Sequence, residues 1–208
     1  MEEGTSIAFP SPDITRVLVV TGPVGAGKTT LIKALVRNRQ PDDRWAWLVN
    51  DFGNAEPDEE EGLSVETLAG CACCTATLVV RKKLVDILRR KRPAHLIIEL
   101  STLGSPAGLS TLLTKEFSKF AKVGCVIALV PVETHEKLLE ESDTYPLQLD
   151  ESSVWLLIGG QQSQVDAISN WASTKSSPKI VFALPALEPE AIQKQLSDAL
   201  SEVLLISS

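Results

Sequence analysis

The sequence lacks an excess of positive charge and lacks any long apolar run. Its 208 residues include 20 Lys and Arg against 27 Asp and Glu, a formal net charge of −7, so we expect no broad basic surface and no nucleic-acid partner. No apolar stretch reaches the roughly 18 residues that a membrane span needs, which predicts no membrane partner. The opening MEEGTSIAFPSPDITR has no basic flank or apolar core of a targeting signal, so the expected location is the cytoplasm.

Cysteine and histidine are also scarce. Three of the 4 cysteines lie within residues 71–74, a clustering that favours thiolate ligands or redox chemistry over a disulfide framework. The fourth, Cys125, lies in an apolar run and is predicted to be core. The 2 histidines, His95 and His135, are expected to be surface or capped residues, and a role as a fourth metal ligand is the less favoured alternative.

Short apolar runs separated by segments able to form helices recur along the chain. They predict strands over 16–21, 45–50, 94–100, 125–130, 154–159 and 180–185. Because strands of this kind are buried on both faces and helices between them imply parallel crossovers, the fold class predicted is α/β, a doubly wound, mostly parallel sheet with helices on both faces. We expect a loose tail over 1–15, a single domain over 16–208, a solvated loop at the acidic run 56–62 and a closing helix over 189–206.

The segment GPVGAGKTT at 22–30 fits the phosphate-loop pattern GxxxxGK[ST]. Glycines let backbone N–H groups turn inward around a phosphate, and the helix that follows presents its positive end to the anion. Lys28 would reach the β- and γ-phosphates, and the Thr29 hydroxyl would ligate Mg²⁺. The bland alternative is a simple glycine turn. The predicted nucleotide-binding residues are Gly22, Val24, Gly25, Ala26, Gly27, Lys28, Thr29 and Thr30.

Two acidic residues follow predicted strands. Glu99 ends HLIIE, and an acid directly after three apolar positions of a buried strand is costly without a partner, which favours a role in the Mg²⁺ shell or in positioning water over a salt bridge. Asp51, in LVNDFGN, could approach the metal or the γ-phosphate, but a tight turn around Gly53 explains it equally well. Lys28, Glu99 and Asp51 are the catalytic candidates.

The cluster CACC places Cys71, Cys73 and Cys74 where three thiolates could bind Zn²⁺ or a similar ion and leave one position for an exchangeable ligand. Such an incomplete shell suits a carrier that must release its metal. The alternatives are three buried cysteines that act as small apolar residues, and a redox role.

Together these residues resemble the CobW-like family of metal-handling GTPases, relatives of the nickel-insertion GTPases of hydrogenase and urease maturation. The pieces that carry the resemblance are GPVGAGKTT, LVNDFG, LAGCACC and the strand LIIE, over about residues 16–106. The resemblance implies binding of GTP with Mg²⁺, slow hydrolysis, and delivery of Zn²⁺ or Co²⁺ from the cysteines to a metal-requiring client protein. It also suggests a homodimer, since related GTPases often pair across the nucleotide site.

The sequence departs from the family's pattern in several places. The family has TTG after the strand glutamate, and Thr102 stands at the glycine position. Pro131 lies near the place of a family aspartate, and LLIGGQQSQVD has no lysine or aspartate at the spacing of the guanine-reading NKxD signature, which leaves ATP as an alternative nucleotide. We therefore expect a shortened, partly degenerate member without the family's usual C-terminal domain.

Three functions compete on these residues. The leading one is a metal-binding NTPase acting as a metallochaperone or insertase, with metal affinity coupled to the nucleotide state. The second is a non-catalytic module that binds nucleotide and metal as a store, sensor or regulatory partner. The third, a small-molecule kinase, is weaker because the basic run RRKRP at 89–93 closes a helix, where cations stabilise the helix dipole, and offers no obvious lid.

Overall fold

The computed structural model describes residues 14–37, 39, 44–49, 63–68, 78–177 and 179–184. Its strands are β1 (Thr15–Thr21), β2 (Trp45–Val49), β3 (Leu63–Thr67), β4 (His95–Glu99), β5 (Ala121–Pro131), β6 (Val154–Ile158) and β7 (Ile180–Leu184). Its helices are α1 (Lys28–Arg37), α2 (Leu78–Val85), α3 (Pro106–Glu116), α4 (His135–Glu141), α5 (Thr144–Glu151) and α6 (Gln162–Ser173). A π-helical segment, Asp86–Lys91, extends α2, and a 3₁₀ turn, Val132–Thr134, precedes α4.

The strands form one parallel sheet in the order β3-β2-β4-β1-β5-β6-β7. The predicted doubly wound α/β class is therefore confirmed. The strand β3 was not predicted, because LSVET alternates apolar with polar residues just after the acidic run and lacks the continuous apolar signature of the other strands. Its half-buried pattern is the one expected of a strand with a single neighbour among the described residues.

The centre of the sheet is covered on both faces, which explains why β1 is apolar at consecutive positions. Leu18 and Val20 pack with Leu31 and Ile32 of α1, while the alternate residue Val19 packs on the opposite face with side chains of α2 and α3. Because successive side chains of a strand point to opposite faces, a strand between two helical layers needs apolar residues throughout.

The register of the sheet determines where the functional loops meet. Val20 of β1 and Val49 of β2 both pair with Glu99 of β4. Since all three strands run parallel, the segments that follow them leave the sheet at one edge, its carboxyl edge. None of the described helices is both long and apolar enough to cross a membrane.

Candidate nucleotide site

The loop between β1 and α1 has the backbone geometry of a phosphate loop. Gly22, Gly25 and Gly27 adopt φ values of 142°, 75° and 90°. A Cβ atom on Gly22 would lie 2.9 Å from the carbonyl oxygen of Leu129 in β5, so only glycine lets the chain turn away from β1 this close to the neighbouring strand. The helix α1 begins directly after the loop, at Lys28, and its first backbone N–H groups lack partners within the helix.

Lys28 lies across this loop and is 4% exposed. Its Nζ donates hydrogen bonds of 3.1 Å to the carbonyl oxygens of Gly22 and of Pro23. Hydrogen bonds from an ammonium to an anionic oxygen are stronger than those to a neutral carbonyl. A phosphate at the loop could therefore take over these hydrogen bonds.

Thr29 and Glu99 meet at the carboxyl edge although 70 residues separate them in the sequence. The Thr29 hydroxyl donates a 2.6 Å hydrogen bond to Glu99 Oε1, and Glu99 is fully buried. The pairing of β1 with β4 produces this contact, because it places Glu99 beside the end of β1. A hydroxyl and a carboxylate are oxygen ligands of the type that Mg²⁺ prefers.

Two further buried hydroxyls lie next to these residues along the chain. Thr21, the last residue of β1, is 0% exposed, and Ser101, two residues beyond Glu99, is 4% exposed. Neither hydroxyl has a hydrogen-bond partner among the described residues. A buried polar group without a hydrogen bond costs about 1–3 kcal/mol. A polar ligand at this edge, such as a nucleoside triphosphate, could supply the missing partners of both hydroxyls. Mg²⁺ bound with it would neutralise charge on the phosphate oxygens.

The predicted metal-binding cysteines and Asp51 cannot be placed, since residues 50–62 and 69–77 lie outside the described residues. In the part of the chain that the structure describes, no group of three or more His, Cys, Asp or Glu side chains could hold a metal ion.

Both histidines and Cys125 do have defined surroundings. His95 begins β4, at the opposite end of the strand from Glu99, and its ring stacks on Trp45 with centroids 4.7 Å apart. His135 is 4% exposed and its Nδ1 lies 2.9 Å from the Tyr145 hydroxyl; burial lowers its pKa. Cys125 is core, as predicted, and burial raises the pKa of its thiol to about 12.

The loop that follows Glu99 contains the departure seen in the sequence. Thr102 occupies the position where the resembling family has glycine, while Gly104, two residues later, closes a turn by donating its N–H to the Ser101 carbonyl at 2.8 Å. The carbonyls of this loop accept hydrogen bonds from Gln148 of α5. Sequence reasoning missed Gln148, and the available signal was a polar residue at the i+3 position of the i, i+3, i+4 face that the helix buries.

At the other half of the carboxyl edge, β5 and β6 end in apolar and glycine residues. Gly159 and Gly160 follow β6 with φ values of 70° and 80°. A Cβ atom on Gly160 would lie 2.2 Å from Val132 Cγ1, so the two strand ends pack directly against each other. Gln161 and Gln164 then form a capping box at the start of α6. The side chains of this segment are thus used for packing and capping.

The comparisons agree with this fold and this loop. A model of the family described as "CobW/HypB/UreG, nucleotide-binding domain" matches residues 16–174, well over half of the chain. The zinc chaperone YeiR of Escherichia coli (strain K12) is 38% identical over 106 residues, covering 49% of this chain and 32% of that protein. The zinc-regulated GTPase metalloprotein activator 1 of Schizosaccharomyces pombe is 28% identical over 175 residues, covering 77% of this chain and 41% of that protein.

Among solved structures, nickel-bound HypB from Helicobacter pylori superposes with a TM-score of 0.62 at 17% identity, over 95% of this chain and 90% of that one. This likeness concerns the fold. The two curated relatives match over 32% and 41% of their own lengths, so the chain corresponds to part of each.

Proposed function

Since the chain belongs to the CobW/HypB/UreG nucleotide-binding domain family, we propose that it is a metal-binding, GTPase-type P-loop NTPase that acts as a metallochaperone or metal insertase. The observation that carries the proposal is the contact of Thr29 with Glu99 beside the glycine loop. One relative is named a zinc chaperone and another a zinc-regulated GTPase metalloprotein activator, names that support zinc handling coupled to a nucleotide.

Each residue of the nucleotide site has a proposed role. Backbone N–H groups of Gly22, of 24–27 and of the start of α1 bind the phosphates, and Lys28 stabilises negative charge on the β- and γ-phosphates. Thr29 and Glu99 would hold Mg²⁺ or its water shell, and Glu99 would also orient the attacking water. Asp51 is proposed as a second acid near the γ-phosphate, on its position in the sequence alone.

The proposed cargo site consists of Cys71, Cys73 and Cys74, binding Zn²⁺ or Co²⁺ for transfer to a client protein that requires the metal. In the sequence these residues lie between Asp51 and Glu99. Loops that a γ-phosphate orders around either acid could therefore alter the coordination of the metal at the cysteines. By reciprocity, bound metal would change nucleotide affinity.

Phosphate release tests the proposal most simply. We expect Mg²⁺-dependent release of phosphate from GTP that is abolished by Lys28→Ala, while Arg37→Ala on the exposed last turn of α1 leaves it unchanged. Phosphate release that persists in the Lys28→Ala variant would mean that the activity comes from elsewhere.

Zinc stoichiometry tests the cargo site separately. The double substitution of Cys73 and Cys74 by serine should abolish binding of one Zn²⁺ per chain, while Cys125→Ala, a change in the core, should leave it intact. A double variant that still binds one Zn²⁺ per chain would exclude these thiolates as the site.

The second candidate function is a non-catalytic module that binds nucleotide and metal. One observation favours it: Thr102 stands in the loop after Glu99 at the position where the family has glycine. Tight GTP binding without phosphate release would support the module and reject the hydrolase.

A further inference from the structure

The loop 100–105, which joins β4 to α3 and is here called the β4–α3 loop, is held from one side by a buried amide. Gln148 of α5 is 2% exposed. Its Nε2 donates to the carbonyl oxygens of Gly104 at 2.9 Å, Thr102 at 3.0 Å and Ser101 at 3.4 Å. One amide nitrogen thus contacts three of the six carbonyls of the loop.

Two more side chains of α5 contact the same region. The Thr144 hydroxyl donates to the Thr102 carbonyl at 3.1 Å, and Glu151 Oε2 accepts from the Ser105 hydroxyl at 3.1 Å and from the N–H of Ala107 at 2.9 Å. Thr144, Gln148 and Glu151 are spaced four and three residues apart, so they lie along one face of the helix. Together these three side chains contact the chain from Ser101 to Ala107, which covers most of the loop and the start of α3.

Burying the Gln148 amide costs free energy, which its hydrogen bonds to the loop offset. A fully buried amide loses its hydration, and the Gln148 Oε1 atom has no hydrogen-bond partner among the described residues. An apolar side chain of similar length would avoid that cost at this position, which lies on the buried face of α5 with Tyr145 and Leu149. Within the described part of the chain, the hydrogen bonds of the Gln148 side chain all go to the β4–α3 loop.

We propose that Gln148 is a positioning residue for the nucleotide site: by fixing the β4–α3 loop it holds Glu99, at the base of that loop, in contact with Thr29. The inference rests on the proposed hydrolase function. Because the hydrogen bonds of Gln148 reach the loop and not the phosphate loop, Gln148 affects the rate of phosphate release more than the affinity for nucleotide. The face of α5 therefore sets how well the catalytic carboxylate is aligned.

Hydrogen exchange on the nucleotide-free full chain tests whether Gln148 fixes the loop, and it needs no measurement of activity. Gln148→Met keeps the length of the side chain and removes the donor, so amide exchange of the 100–105 segment should rise about tenfold or more, as loss of these hydrogen bonds implies. Exchange in β1 should stay unchanged. Gln162→Met, the same substitution on the exposed face of α6, is the matched control.

Two additional variants separate hydrogen bonding from packing. Thr144→Val removes one bond to the same loop and should give a smaller rise, which keeps the test open if Gln148→Met does not fold. In Gln148→Glu, only the protonated acid can donate, so loop exchange relative to wild type should rise with pH after correction for the intrinsic rate. Unchanged loop exchange in the Gln148→Met and Thr144→Val variants would overturn the proposal, as would a Gln148→Glu variant with no pH dependence.

The kinetic arm tests the consequence for Glu99. Gln148→Met should lower kcat for GTP about tenfold and leave KM within about twofold. A raised KM with unchanged kcat, or no kinetic change despite a loosened loop, would overturn the positioning role. A wild-type chain that releases no phosphate would refute the proposed function instead, and the exchange result would then decide alone whether Gln148 fixes the loop.

Discussion

The two halves of the sheet's carboxyl edge are built differently. At the half formed by β1 and β4, the buried Lys28 donates a hydrogen bond to the glycine loop, and the buried Glu99 accepts one from Thr29. At the half formed by β5 and β6, Val132 packs directly on Gly160, and the following glutamines cap a helix. We call these the phosphate half and the base half, the second named for the guanine-reading signature that the family is expected to carry after β6.

The difference indicates which part of a nucleotide the chain recognises. Charged groups and turned glycines bind phosphates regardless of the base. In the family, guanine is recognised by a carboxylate that accepts from its ring N1–H and its exocyclic amino group, and the described residues directly after β6 are glycines and glutamines. We therefore expect the affinity to come from the phosphate half, with little selection between GTP and ATP.

The largest effect should come from the phosphate half. Glu99→Gln keeps the size of the side chain but removes its charge, so we expect kcat for GTP to fall about 100-fold or more, the range of a lost acid–base or water-orienting group. KM should change little. Glu116→Gln, at a surface ion pair with Arg81, is the control. Steady-state kinetics with an unchanged kcat would remove Glu99 from the catalytic residues.

A pair of glycine substitutions compares the two halves directly. Gly25 in the phosphate half and Gly160 in the base half have similar φ values of 75° and 80°, but a Cβ atom meets nothing within 4 Å at Gly25 and lies 2.2 Å from Val132 at Gly160. Gly25→Ala should lower the free energy of unfolding by about 1 kcal/mol, from backbone strain alone, and Gly160→Ala by about 2–4 kcal/mol, from strain plus overpacking. Urea unfolding measures both, and equal losses would show that the base half is not tightly packed.

The smallest effect concerns His135, which packs behind the base half. Burial lowers its pKa, with Lys175 adding to the shift and Glu136 opposing it. A group whose pKa is lower in the folded state stabilises the fold above its unfolded pKa, and that contribution is lost as the pH falls through about 6.5 towards the folded value. Wild type should therefore lose more stability than His135→Gln between about pH 7.5 and pH 5. Identical losses in urea unfolding would contradict the shift.

The phosphate half could be predicted from the sequence because its signals are local. A β-branched run, a glycine pattern and a helix follow one another within 16–37, and an acid after an apolar strand marks Glu99. The edge strand β3 could not be predicted, because the apolar–polar alternation of a half-buried strand is a weak signal beside an acidic run. The contacts of Gln148 could not be predicted either. Its hydrogen bonds join residues 44 to 47 positions apart, and no local sequence pattern indicates contacts at that separation.

A competition titration of Mg²⁺-GTP against ATP, on wild type and on Lys28→Ala, tests the central claim that the phosphate half holds the nucleotide. We predict one site per chain, affinities for GTP and ATP within about tenfold of each other, and a parallel loss of about 30-fold for both in the variant, the cost of one charged contact. GTP binding more than about 100 times tighter than ATP binding, or binding that Lys28→Ala leaves unchanged, would contradict it.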